Sequence, residues 1–274
     1  MRKKKFTYVA LALLTLGFAA CQQEEDFALQ GQEQVLRIAT RSTSDVNAAV
    51  SFTDDFTLEL WSTTDNAKYE THSMIYTDGT GWNTVRSSIL PANAFAYKGS
   101  SVTDISYTDK WNYTVSLQLD QSDATKLADA DVMIATGSAN AESLLDLNFE
   151  HFFAKVTFNA TLAIEFDATD NITTFDVKTV DSKTVNACID GKTVSAIITS
   201  GQYAAESEFL SIKVSGADNP LTVKVPSGGL TFNAGTHYTF NLKVGKDKVT
   251  IEQVSMDDFD SPFGEGWNNE ENLM

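Results

Sequence analysis

Apolar and polar residues alternate with a period of two along residues 156–166. Valine, phenylalanine, alanine, leucine and isoleucine occupy the even positions, and mostly polar residues occupy the odd ones. Successive side chains of a β-strand point to opposite faces, so this segment predicts one long strand with one buried face. Further alternating runs lie at 56–60, 111–119, 210–214, 221–225 and 238–244. Strands with one buried and one solvated face are typical of a β-sandwich.

Turn-forming pairs separate these runs, namely Asp-Gly at 78–79 and 190–191, Asn-Pro at 219–220 and Gly-Gly at 228–229. Their spacing, on the order of 8–12 residues, indicates an all-β fold. One helix is expected near residues 122–131, with Ser122 as its N-cap. Strands and helices do not alternate, which argues against a parallel nucleotide-binding sheet.

The length of 274 residues suits two domains of ordinary size or one large β domain. Residues 132–148 are small and loop-like, and the strand pattern restarts after them. We therefore expect a domain boundary near Leu147. The prediction is an N-terminal β-sandwich domain over residues 35–147 and a C-terminal β-sandwich domain with an acidic tail over residues 148–274.

The first 34 residues have the pattern of an export signal and a tether. Residues 2–5 are basic, and the apolar run that follows is too short to span a bilayer. It ends Ala-Ala-Cys, which resembles a bacterial lipobox, so we expect a lipoprotein signal peptide over residues 1–20 and lipidation of Cys21. An ordinary secretory signal with a coincidental cysteine is the alternative.

Residues 21–34 are interpreted as an acidic tether. Gln-Gln-Glu-Glu-Asp at 22–26 resembles the signal that sends lipoproteins of some anaerobic Gram-negative bacteria to the outer leaflet of the outer membrane. A generic solvated linker would have the same composition. The expected location is the cell surface, as an outer-membrane lipoprotein.

The net charge of −17 repels phosphate backbones and anionic headgroups, so nucleic acid is not an expected partner. Cys188 lies in an apolar stretch and is predicted to be a buried free thiol. The three histidines lack metal-ligand spacing, and no nucleophile, dinucleotide or Walker motif occurs. Asp257, Asp258 and Asp260 could hold a cation, but an acidic solvated tail explains them better. We expect no cofactor and no enzymatic activity.

Three segments carry a resemblance to a known family. Residues 89–97 look like its W-P…F-x-A-Y strand, with Leu90 where tryptophan is common. Residues 147–158 are similar to its L-x-F-x-H-x-x-A-K-V-x-F segment, and residues 232–242 to its A-G-x-x-Y-x-F-x-L strand. With the lipobox and Pro-Phe-Gly-Glu-Gly at 262–266, the chain resembles the fimbrillins, subunits of the type V pili of Bacteroidales-type bacteria.

The resemblance implies a lipoprotein precursor with two tandem domains of transthyretin-like topology. It also implies assembly with other fimbrillin subunits by strand exchange, after an Arg-specific protease removes the N-terminal strand. Here that strand is residues 35–41, and Arg41 and Ser42 flank the expected cut at the start of a Ser/Thr-rich loop. Alternatively, Arg41 is an ordinary exposed arginine in a first strand that stays.

The expected function is therefore a structural subunit of a surface fimbria with a role in adhesion to an unidentified host or bacterial target. It could be a stalk, tip or anchor subunit, because residues 247–256 alternate only partly and residues 257–274 have little strand character. The alternative is a non-polymerising surface lipoprotein that binds glycan. Tryptophans such as Trp61 and Trp111 could line a sugar site, although core packing explains these two better.

Overall fold

The computed structural model describes residues 33–43, 49–140 and 144–258. Nearly all regular structure in these ranges is β-strand, with one short helix. The expectation of an all-β fold is confirmed, whereas the transthyretin-like topology stays a prediction. None of the helical structure in these ranges is long and apolar enough to cross a membrane.

The strands of the first half are β1 Gln34–Thr43, β2 Ala49–Ser51, β3 Phe56–Ser62, β4 Lys68–Met74, β5 Tyr76–Thr77, β6 Gly81–Trp82, β7 Val85–Ser87, β8 Ala92–Lys98, β9 Val102–Tyr107 and β10 Trp111–Val115. The helix α1 spans Ala124–Ala130, and β11 Met133–Ala139 and β12 Leu144–His151 follow it.

The strands of the second half are β13 Ala154–Leu162, β14 Ile172–Lys178, β15 Thr184–Asn186, β16 Cys188–Asp190, β17 Thr193–Ile198, β18 Gly201–Tyr203, β19 Glu208–Val214, β20 Leu221–Lys224, β21 Leu230–Phe232, β22 Thr236–Val244 and β23 Val249–Asp258. β23 pairs along its whole length with β22, so residues 249–258 form a regular edge strand despite their partial alternation.

One large sheet holds most strands of the first half, in the order β2-β1-β12-β11-β8-β3-β4, with β7 also paired to β1. Alternate residues on one face are fully buried, as Leu58, Ala94 and Leu147 illustrate. The β9–β10 hairpin packs over the opposite face, where Phe95 is fully buried. Both faces of this sheet therefore carry packed apolar residues.

The second half is a two-layer sandwich. A sheet in the order β16-β17-β13-β22-β23 packs on a sheet in the order β15-β14-β19-β20. Phe158 of β13 contacts Phe240 on the neighbouring strand and Phe175 of the facing sheet, with ring centroids 5.1 and 4.9 Å apart. Aromatic packing across the two layers thus forms the centre of this core.

The predicted facing of β13 and β22 is confirmed near their centres. Phe158 and Phe240 are fully buried, Asn159 is exposed and Leu162 is partly buried at the core margin. The expectation that Ile164 faces inward is wrong, because its side chain is 99% exposed. β13 ends at Leu162, and the chain then turns away from the sheet.

Residues 111–119 do not form the single strand that their pattern predicts. β10 ends at Val115, and Leu119 beyond it is exposed. Among the described residues, β10 pairs only with β9, and no third strand extends the ladder. The alternation of apolar and polar residues in the sequence therefore continues beyond the last paired residue.

The expectation that residues 132–148 form a loop is also wrong. Most of this segment lies in β11 and β12. Gly137 is the reason that β11 can approach β12: a Cβ there would lie 3.0 Å from both the Asp146 carbonyl oxygen and a methyl carbon of Leu145. A small residue that resembles a turn signal therefore permits close strand packing.

The helix begins one residue later than expected. Its N-cap is Asp123, not Ser122: the Asp123 carboxylate accepts a hydrogen bond of 2.9 Å from the backbone N–H of Lys126. An acidic side chain at this place also complements the positive end of the helix.

A buried glutamine connects the two groups of sheets. The Gln121 side chain accepts a hydrogen bond of 2.7 Å from the Ile197 N–H and donates one of 2.9 Å to the Ile197 carbonyl. β12 continues across residue 147 and pairs within the first sheet, and β13 begins the second group at Ala154. The division into two domains stays a prediction.

Candidate functional site

The first strand, β1, lies among three other strands of the large sheet. It pairs in parallel with β12 from Arg37 to Ser42, and antiparallel with β7 at its start and β2 at its end. β1 and β12 are distant in sequence, so they are held together by this ladder and by side-chain contacts. Removing β1 would therefore uncover a long segment of β12 backbone.

The side chains of β1 alternate as the sequence predicts for a strand with one buried face. Leu36 and Ser42 are buried and Ile38 is partly buried against the core. Arg37 and Arg41 point to the opposite face and are exposed. β1 is thus an integral part of the sheet, and its apolar side chains cover the core.

Hydrogen bonds of one threonine also hold β1 in place. The Thr40 hydroxyl donates to the Phe52 carbonyl oxygen at 2.8 Å and accepts from the Trp82 indole N–H at 3.2 Å. Each such bond contributes on the order of 1 kcal/mol. Loss of β1 would leave the indole N–H of a partly buried tryptophan without this acceptor.

Beside β1, on the core face of β12, a row of three side chains, Leu145, Leu147 and Phe149, is fully buried. The Phe149 ring stacks on Phe52 with centroids 4.0 Å apart and contacts Phe56 edge-on at 5.0 Å. These residues form a groove with an apolar floor and a line of backbone donors and acceptors, which β1 fills. We call it the β1 groove.

Arg41, the predicted processing residue, is accessible through its side chain but not through its backbone. The guanidinium is about half exposed and forms an ion pair with Asp146 at 3.0 Å. Such a surface pair contributes little to stability. The expected loop does not begin directly after Arg41, because β1 continues through Ser42 to Thr43 and pairs with both β12 and β2. Residues 44–48, which follow, lie outside the described residues. A protease would therefore need this end of β1 to open first.

The histidines and the cysteine considered in the sequence analysis lie in surroundings that are typical of structural residues, where the structure describes them. The pair of His151 and Asp131, 2.7 Å apart, is largely buried. His72 lies 3.0 Å from Glu70. Cys188 is half-buried rather than buried, and desolvation raises the pKa of its thiol. A raised pKa reduces the thiolate fraction, which disfavours a reactive role.

Several predicted features lie outside the described residues. These are the signal peptide 1–20, Cys21 and the tether through residue 32, the carboxylate of Asp260, and the motif at 262–266. Lipidation of Cys21 therefore remains a prediction. Cleavage beside Arg41 also remains a prediction, although Arg41 itself is among the described residues.

Comparison with known proteins identifies the family. The fimbrillin-like family model matches residues 38–258. No curated protein matches the chain in sequence. A candidate cell adhesion protein from Bacteroides ovatus ATCC 8483 has 11% identity and a TM-score of 0.55, over 83% of this chain and 98% of that chain. A candidate adhesin from Bacteroides thetaiotaomicron VPI-5482 has 10% identity and a TM-score of 0.51, over 85% and 98% of the two chains.

At these identities the two solved structures show a shared fold and nothing more. The family match, in contrast, extends from within β1 to the last residue of β23. The chain therefore belongs to the fimbrillin-like family.

Proposed function

We propose that this chain is a structural subunit of a cell-surface fimbria, with a role in adhesion, that assembles by strand exchange after proteolytic removal of β1. The observation that carries the proposal is the β1 groove. The first described strand lies beside the fully buried side chains of β12 on the core face and pairs with its backbone from Arg37 to Ser42.

Strand exchange follows from the physics of this groove. An empty groove would present unpaired backbone groups above an apolar floor, which is unfavourable in water. A strand from another subunit would satisfy the same backbone groups and place alternate side chains on the same floor. Release of β1 would thus convert an intramolecular contact into an intermolecular one.

Immunogold electron microscopy of cells that express this chain tests the proposal. Label on surface filaments is expected, and its position along the shaft, at the tip or at the base assigns the subunit type. The proposal would be overturned if the label were found only on the cell envelope and on no filaments. That result would favour the alternative, a non-polymerising surface lipoprotein that binds glycan.

We also propose that Cys21 anchors the precursor in the outer membrane. Replacement of Cys21 by alanine should abolish incorporation of a clickable fatty-acid probe, because an acyl chain can be attached only to that residue in a lipobox. Cys188→Ala is the matched control and should retain the label, since Cys188 lies in the folded part of the chain in β16. An unlabelled wild type, or a labelled Cys21→Ala variant, would contradict the anchor.

A further inference from the structure

Two cavities lie along β11 of the large sheet. The larger has a volume of about 590 Å³ and includes Tyr113, Phe152 and Thr136 in its wall. The smaller has a volume of about 340 Å³ and is lined by Trp111, Ser138 and again Thr136. Thr136 thus lies in the wall of both cavities, and we call the two together the hairpin cleft.

An aromatic wall runs along this cleft. Tyr113 and Phe152 are each 37% exposed, and their ring centroids lie 6.2 Å apart. Phe95, which is fully buried, contacts both Trp111 and Tyr113 with centroids 5.1 Å away. The buried Phe95 ring thus packs behind Trp111 and Tyr113, which favours a wall that is in place before a ligand binds.

A β-bulge lies beside one of these rings. Asp104 and Ile105 of β9 stand opposite Tyr113 alone, and Asp104 has a positive φ of 54°. Bulges of this kind recur at binding sites. Tyr113 of β10 is 37% exposed and, like Trp111, contacts Phe95.

Neutral polar side chains form the other side of the cleft. Thr136 and Ser138 project from the outer face of β11 and are exposed, and Asn93 of β8 lies beside them. The Ser138 hydroxyl is 3.3 Å from the Asn93 amide oxygen. The surface thus combines flat apolar rings with hydroxyl and amide groups that can both donate and accept hydrogen bonds.

The charges of the cleft favour a neutral ligand. Its wall contains the carboxylates of Asp109 and Glu150 and the amine of Lys110, and the whole chain carries a net charge of −17. A negative protein with more carboxylates than amines at the site repels sialylated, sulfated or phosphorylated ligands. A neutral ligand encounters no such repulsion.

The strand pairing excludes the addition of a peptide strand at the smaller cavity. β8, on that side, is paired on both edges, with β3 and with β11, so an extended peptide cannot add to it through backbone hydrogen bonds. Recognition there comes from side chains that project from the face of the sheet. Within the described residues, β11 beside the larger cavity pairs with β12 only at Met133 and Ile134, so the exclusion holds for the smaller cavity alone.

We propose that the hairpin cleft binds a neutral oligosaccharide. A pyranose ring has an apolar C–H face that packs on aromatic rings and a rim of hydroxyls that pair with Thr, Ser and Asn side chains. Both cavities fall within the range of about 300–1,000 Å³ usual for ligand sites, so two adjacent cavities suit a short chain of sugars rather than one. This activity does not depend on strand exchange, since neither cavity is lined by a residue of β1.

The test uses the purified full chain on an array of neutral oligosaccharides with gluco, xylo, manno and galacto configuration, beside sialylated and sulfated ones. Isothermal titration then measures the affinity of the best neutral ligand. Tyr113→Ala removes an aromatic face and Thr136→Lys places a longer side chain in the wall that both cavities share. Each should weaken binding by at least about tenfold, a loss of roughly 1.4 kcal/mol. Tyr69→Ala is the matched control, because Tyr69 is an exposed tyrosine of β4 outside the cleft.

The Thr136 side chain is exposed, so thermal unfolding of Thr136→Lys followed by circular dichroism should be nearly the same as for wild type. Tyr113→Ala also loses ring contacts with Phe95 and Phe152, so its unfolding curve must show that it is folded at the temperature of the titration. Loss of binding in the two cleft variants with full binding by Tyr69→Ala supports the proposal. Three results would overturn it: no neutral oligosaccharide bound, a preference for the anionic ones, or cleft variants that bind as tightly as wild type.

Discussion

Replacement of Phe158 by alanine should lower the free energy of unfolding by about 3–5 kcal/mol, the usual cost of truncating a buried phenylalanine. Phe158 is fully buried at the centre of the second sandwich, and its ring contacts Phe240, Phe175 and Phe209. Truncation removes the transfer free energy of the ring and leaves a cavity that surrounding strands cannot close. Against a total stability of about 5–15 kcal/mol, this loss is severe.

Asn159→Ala provides the matched control on the same strand. The Asn159 side chain is exposed and donates a 3.2 Å hydrogen bond to the Asn241 amide oxygen at the surface. Its removal should change the free energy of unfolding by less than about 0.5 kcal/mol. Urea denaturation followed by circular dichroism measures both variants. Similar losses at the two positions would show that the register assigned to β13 is incorrect.

Local pattern was sufficient to predict the facing of these residues, because a period of two determines which side chains share a face. It was not sufficient to predict pairing partners. β13 pairs in parallel with β22, and β1 with β12, across long stretches of sequence. A parallel pair requires a crossover connection, and no short-range signal specifies where the chain returns. The all-β class was thus predictable, and the order of the strands was not.

Strand ends were also poorly predicted, because alternation can continue after pairing stops. The Ala163 N–H still bonds to the Val244 carbonyl at 2.8 Å, and the Phe166 N–H then bonds to the Ala163 carbonyl at 3.1 Å. This turn leaves Ile164 in solvent although its position in the pattern is apolar. The reverse error occurred at Gly137, where a residue typical of turns lies in a strand for steric reasons.

The candidate site was predictable in part. Sequence indicated a first strand and an arginine near its end, but not that Arg41 lies inside the ladder. The sequence raises Trp111 as a residue that could line a sugar site, but it does not indicate the rest of the hairpin cleft. Thr136 and Ser138 lie in a stretch with a loop-like composition, and Tyr113 is one of several alternating aromatics. The pairing of β8 with β11 and the packing of the hairpin on Phe95 bring these side chains to one surface.

Arg41→Ala should leave the protein folded but unable to assemble after treatment with an Arg-specific protease. In the wild type, β1 pairs with β12 from Arg37 to Ser42. A cut after Arg41 separates all of these residues except Ser42 from the rest of the chain. While covalently attached, β1 fills its groove at high effective concentration, and an external strand cannot compete. After the cut, β1 can dissociate and a second subunit can occupy the groove. Gel filtration should show polymers for the wild type and monomers for Arg41→Ala.

Arg37→Ala is the matched control, since both arginines lie exposed on the outer face of β1. A cut after Arg37 would leave Ile38 to Ser42 attached to the chain and paired with β12. It would not empty the groove, so Arg41→Ala should stay monomeric even when it is cut at Arg37. Conversely, Arg37→Ala should still assemble, because its cleavage at Arg41 is unaffected. Comparing the two variants thus distinguishes the general effect of losing one protease site from the specific effect of losing the site at Arg41.

Two results would contradict the mechanism. Polymers formed by uncut protein would show that β1 does not block assembly. The second result is a protein that stays monomeric although mass spectrometry confirms the cut at Arg41 and the absence of the released segment. It would show that an open groove does not bind a donor strand. Because Arg41 is paired on both sides, cleavage should also accelerate in dilute urea, which favours local opening before global unfolding. A rate independent of urea would mean that Arg41 is reached without opening of the ladder.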